Sequence, residues 1–132
     1  MLDLPGVSWF SLQIGERSSD IARFSPGSIT DLSARLEDFA ETAAVIAHLD
    51  LVVTVDTAIA HLAGALGRKV WVLLPFSADW RWLIDRDDSP WYPTARLFRQ
   101  REPGNWDDVV SRVVQAIGSL VERRPKIPEA VT

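Results

Sequence analysis

The sequence predicts an α/β fold: a three-layer α/β/α sandwich built on a Rossmann-like parallel sheet. Three observations predict it. Leu51-Val-Val-Thr-Val55 and Lys69-Val-Trp-Val-Leu-Leu74 are short β-branched runs, and the first is apolar on both faces except at Thr54. Parallel strands covered by helices on both sides read this way. Segments of helical period alternate with these runs. The order is strand, helix, strand, helix, strand, loop, strand, helix, which implies parallel strands joined by right-handed crossovers.

Each element follows from its residues. Pro5-Gly6 signals a turn, and Val7-Ser-Trp-Phe-Ser-Leu-Gln13 is rich in strand formers. Residues 15–28 are polar and read as a long loop. Asp31 and Ser33 are cap candidates for a helix over about 34–48. Its expected apolar face is Leu36, Phe39, Ala40, Ala43 and Ala47, opposite Glu37, Asp38 and Glu41. Leu51–Val55 suits a central strand, and residues 57–66 a short helix closed by Gly67. Pro75 stops the next strand. Residues 75–93 are rich in proline and tryptophan and show no clear period, although Trp80–Ile84 could make one turn. Ala95-Arg-Leu-Phe98 alternates as a short strand. Asn105 or Trp106 opens a last helix with a stripe of Val109, Val110, Val113, Val114, Ile117 and Leu120. One domain over residues 1–122 is expected, followed by a flexible C-terminal tail at 123–132.

Composition narrows the function classes. The chain has 132 residues, 47% of them apolar, enough for one domain with a real core. Acidic residues outnumber basic ones 18 to 14, a net charge of −4 that argues against a nucleic-acid binder. Absence of cysteine excludes disulfides, thiolate catalysis and Cys-ligated metals. No apolar run approaches the roughly 20 residues of a membrane span. The start lacks the basic and apolar regions of a signal peptide, so a cytoplasmic protein is expected. Of the six tryptophans, Trp9, Trp71 and Trp106 sit in periodic elements and are expected to pack in the core.

The densest chemistry lies at Asp56-Thr57 and His61. A strand ending at Val55 delivers the first two to the carboxyl edge of the sheet, where such folds bind ligands. The following helix offers unpaired N–H groups and a partial positive charge to a phosphate. Thr57 could donate to that phosphate, and Asp56 could accept from a sugar hydroxyl. His61, four residues on, lies one turn deeper on the same face. Plain capping by Asp56 or Thr57 and packing by His61 are the competing readings. His48, ending its helix, suits a partner for the helix dipole. No glycine-rich phosphate loop, nucleophile elbow or metal-ligand spacing occurs. Asp85, Asp87 and Asp88 suit a solvated loop. Arg81, Arg86, Arg96, Arg99 and Arg101 could meet an anionic ligand or pair with those carboxylates.

Asp56-Thr-Ala-Ile-Ala-His-Leu-Ala-Gly-Ala-Leu-Gly67 followed by Val70-Trp-Val-Leu-Leu-Pro75 resembles the C-terminal half of GT-B glycosyltransferases, in particular the heptosyltransferase-like family 9. Ser11-Leu-Gln13, Asp79-Trp-Arg-Trp82, Asp88-Ser-Pro-Trp-Tyr-Pro93 and Arg96-Leu-Phe-Arg-Gln100 resemble its bacterial tetratricopeptide-linked group. The resemblance implies a nucleoside diphosphate sugar as donor substrate, with no permanently bound cofactor, and a protein or glycan acceptor. It implies that Asp56, Thr57 and His61 lie beside the donor's diphosphate and sugar, with Gln13, Pro75 and Phe76 facing the nucleoside. The base for inverting transfer would come from an N-terminal half, so no catalytic residue is assigned here. A GT-B enzyme needs two such domains, and by this comparison the chain starts one strand late. The expectation is therefore a donor-binding fragment with an exposed sheet edge and no turnover alone. The alternatives are a non-catalytic interaction module presenting residues 76–93, and half of a sugar-nucleotide epimerase.

Overall fold

In a computed structural model describing residues 6–12, 29–33, 36–77, 87–89 and 92–123, Val70–Leu74 forms the central strand. In chain order the elements are β1 (Phe10–Ser11), β2 (Thr30–Asp31), α1 (Phe39–Ala47), β3 (Val52–Val55), α2 (Ala58–Ala65), β4 (Val70–Leu74), β5 (Ala95–Arg99) and α3 (Trp106–Glu122). Among the described residues these strands pair in parallel, and an isolated antiparallel bridge joins Asp88 to Arg96 of β5. β3, β4 and β5 form one sheet in that order, and β1 pairs with β2 in a second. The register runs from Val52↔Val70 to Val55↔Leu73 and from Val70↔Ala95 to Leu74↔Arg99.

Two-residue alternation along these strands builds both layers of core. Val52, Val70, Val72, Leu74, Ala95 and Leu97 face Ile46 of α1 and Ala60 and Ala63 of α2. Trp71 and Phe98 face the opposite way, onto Val109, Val113 and Ile117 of α3. Val70, Val72 and Leu74 are fully buried, each gaining about 1.5–3 kcal/mol of transfer free energy. This is a parallel α/β fold of partial Rossmann type, as the apolar runs require.

Several elements differ from the sequence expectation. The first strand is confined to Phe10–Ser11, and Thr30–Asp31 is a strand that polar composition concealed. Asp31 does not cap a helix: its carboxylate accepts the Ser33 N–H at 2.9 Å and turns the chain. The helix starts at Phe39 instead, capped by Asp38, whose Oδ1 accepts the Glu41 N–H at 2.8 Å. Glu41 returns a bond by accepting the Glu37 N–H at 3.1 Å, so Asp-x-x-Glu behaves like a capping box. With this start, the buried face of α1 is Thr42 and Ile46, while Phe39 is 69% exposed. Trp106 is the first residue of α3 and leans into solvent rather than the core. Residues 124–132, the expected tail, lie outside the described residues.

β3 is an edge of its sheet among the described residues, not a central strand. Its free side faces a cavity of about 1170 Å³ that also borders β1. Val52 donates its N–H to Lys69 in the β4 direction. The alternation of a parallel ladder turns the N–H and C=O of Val53 and Val55 toward the cavity. β1 does the same from the other side. Trp9 and Ser11 carbonyls accept from Thr30 and Leu32 of the β2 segment, leaving Phe10 to face the cavity. Phe10, Phe39 and Val55 are exposed there, and Trp9 Nε1 is buried with no partner among the described residues.

Candidate functional site

β3 ends at Val55, and the chain passes through Asp56 and Thr57 directly into α2. Thr57 occupies the N-cap position with extended backbone, yet its side chain makes no capping bond. Its hydroxyl meets that of Thr54 at 3.1 Å, and the Thr54 hydroxyl donates to the Val55 carbonyl. The Thr57 carbonyl accepts the N–H groups of Ala60 and His61. The N–H groups of Ala58 and Ile59 have no acceptor among the described residues. No acidic side chain stands in the first turn of α2. The N-terminus therefore keeps its donors and partial positive charge open.

Asp56 and His61 come together. His61 Nε2 lies 3.1 Å from Asp56 Oδ1, and the two side chains are 29% and 33% exposed. On the other side of the imidazole, Nδ1 lies 3.0 Å from the Tyr92 hydroxyl. The two rings meet edge to face at 5.7 Å between centroids. The Tyr92 ring lies against Gly64: a Cβ at that position would fall 2.5 Å from Tyr92 Cγ. Gly64 and His61 are three residues apart and share one face of α2. The helix closes in a Schellman motif, with Gly67 at a φ of 70° donating to Gly64 and Arg68 donating to Ala63.

Pro75 and Phe76 sit at the same carboxyl edge, because the register pairs Val55 with Leu73. Phe76 is exposed, and its N–H donates to Gln100 Oε1 at 3.0 Å. The same oxygen accepts the Gly104 N–H, so buried Gln100 ties the turn after β4 to the turn before α3. Gln13 lies outside the described residues, as do Asp85, Arg81, Arg86, Trp80, Trp82 and Trp91.

The remaining arginines gather elsewhere. Arg96 spreads over the Trp71 and Phe98 rings at 5.4 and 4.7 Å. Arg112, which the sequence did not single out, pairs with Asp108 at 2.9 Å and donates to the Arg99 carbonyl. Arg101 reaches the same carboxylate only at 3.8 Å. All three line a groove between β5 and α3. Among the described residues none pairs with Asp56. His48 ends α1 as expected, with Nδ1 2.7 Å from the Ala44 carbonyl.

Tyr92, Gly64 and Gln100 were not read as site residues. The signal for Gly64 was present: a glycine inside an apolar helix, one turn after the histidine, marks a close approach. Among the described residues no helix is long and apolar enough to cross a membrane, and no group of three acidic or histidine side chains could hold a metal ion.

A family model described as glycosyltransferase family 9 (heptosyltransferase) matches residues 13–82, which include α1, β3, α2 and β4. Protein FlbA of Caulobacter vibrioides is 33% identical over 126 residues, an alignment covering 89% of this chain and 20% of that protein. The chain thus spans about a fifth of the length of the curated relative it matches. No solved structure matches it significantly. On the family match, which covers more than half of its residues, the chain belongs to glycosyltransferase family 9, the heptosyltransferase family.

Proposed function

We propose that residues 1–122 are the donor-binding domain of a sugar transferase, and that the carboxyl end of β3 holds the diphosphate of a nucleotide sugar. One observation carries this reading. Among the described residues the Ala58 and Ile59 N–H groups have no acceptor at the start of α2, beside a threonine hydroxyl and a fixed carboxylate. Open helix donors suit phosphate oxygens, which gain hydrogen bonds and charge complementarity together. Asp56 would repel a phosphate placed on it, so its role is to accept from a hydroxyl of the sugar or ribose. Pro75 and Phe76, with Gln13, would face the nucleoside.

In this reading the protein acts as one half of a two-domain GT-B arrangement of the tetratricopeptide-linked kind. The acceptor, a protein or glycan hydroxyl, and the base that deprotonates it would be held by the other half. A strand lodged in the cavity between β1 and β3 would complete the crevice next to Asp56. The 132 residues alone would then bind the donor weakly and turn nothing over. Product analysis on the full-length protein carrying this domain tests the reading. Transfer of sugar to an acceptor, abolished by Asp56→Ala, is the expected result. An epimerised nucleotide sugar, or transfer indifferent to Asp56, would overturn it.

A further inference from the structure

The geometry points to Tyr92 as a positioning residue of this site: its hydroxyl donates to Nδ1 and fixes the orientation of His61, whose Nε2–H in turn holds Asp56. An ionised carboxylate only accepts, so the bond between His61 Nε2 and Asp56 requires the proton on Nε2. In the neutral ring Nδ1 is then an acceptor and needs a donor. The Tyr92 hydroxyl, 3.0 Å away, supplies one. Asp56 is thereby fixed through one oxygen, while its other oxygen has no partner among the described residues.

The local structure is arranged to keep that hydroxyl in place. Tyr92 is half-buried and packs against the core that contains Ala60 and Ala63 of α2. Its N–H donates to Ser89 Oγ at 3.3 Å, and its carbonyl accepts the Ala95 N–H as β5 begins. Its ring occupies the space that any side chain at Gly64 would fill. The loop before β5 thus reaches across the sheet edge and sets the orientation of a side chain on α2. His48 makes the contrast. Its Nδ1 faces a carbonyl at 2.7 Å and must carry the proton, so the two imidazoles of this chain hold opposite tautomers.

That Asp56 serves a nucleotide sugar rests on the reading above; the tautomer does not. The test is nitrogen NMR of the chain with labelled histidine, in alkaline buffer where imidazole is neutral. The expected result is an Nε2–H pattern for His61 and an Nδ1–H pattern for His48. Tyr92→Phe keeps the ring on Gly64 and should shift only the His61 Nδ1 resonance, which loses its hydrogen bond, with the His48 pattern unchanged. Gly64→Ala keeps the hydroxyl but displaces the ring, and should do the same. Phosphate-edge binding, read with uridine diphosphate, should weaken about threefold to tenfold in Tyr92→Phe. An Nδ1–H tautomer at His61 in the unmodified chain, or an Nδ1 resonance unchanged by Tyr92→Phe, would overturn the proposal. The expected tautomers with no binding of uridine, guanosine or adenosine diphosphate would sustain it and count against the nucleotide reading alone.

Discussion

The two parallel sheets among the described residues are made of similar backbone and differ in what covers them. In the β3–β4–β5 sheet, helices lie on both faces, and the central strand is buried at four of its five positions. The β1–β2 pair has two residues per strand, and its free edge opens onto the cavity of about 1170 Å³. Parallel pairing alone contributes little. What stabilises such a sheet is apolar area removed from water on both faces. The candidate site lies at the border between the two regions, at the end of β3, where one side is closed and the other open.

Substitutions on the two sides should therefore diverge. Leu74→Ala, at a fully buried position of β4, should cost about 2–5 kcal/mol in urea unfolding. Phe10→Ala, at a 44% exposed position of β1, should cost less than about 1 kcal/mol. Equal costs would mean that both sheets belong to one closed core. Within β3, Thr54→Pro removes a ladder N–H directed at β4 and should cost about 3 kcal/mol or more. Val53→Pro, whose N–H faces the cavity, should be tolerated as proline is on an edge. Their difference in denaturation midpoint measures how open that edge is.

Smaller effects sharpen the picture on the closed side. Gly64→Ala would gain up to about 1 kcal/mol in a free helix. Here the contact with the Tyr92 ring reverses the sign, with a net loss of about 1–3 kcal/mol by thermal unfolding. Asp38→Ala removes the α1 cap and should cost about 1 kcal/mol, seen as faster amide exchange at Glu41.

The closed region was the legible one. Continuous apolar runs such as Val70–Leu74, and the stripe of Val109, Val113 and Ile117, fix strand and helix through burial, and burial is written in side-chain type. The Gly67 cap and the Asn105 start of α3 were legible for the same local reason, since each follows from one residue's chemistry. Thr30–Asp31 was not legible, because its strand character comes from pairing with β1 and not from its own residues. The start of α1 was misplaced because Asp31 and Ser33 are cap formers by residue type, whereas Asp31 turns the chain at Ser33 and Asp38 makes the cap. At the site, Asp56, Thr57 and His61 could be named from one local strand-to-helix turn. Tyr92 could not, because its contact with His61 spans 31 positions of chain and depends on how the loop before β5 packs.

The central claim is that the open N-terminus of α2, with Asp56 and His61 beside it, takes the diphosphate of a nucleotide sugar. Amide NMR during titration with uridine, guanosine and adenosine diphosphates tests it most directly. At least one, at millimolar concentration, is expected to shift the Ala58 and Ile59 amides and the His61 ring first. Shifts confined to the Arg96 and Arg112 groove, or none with any of the three, would contradict it.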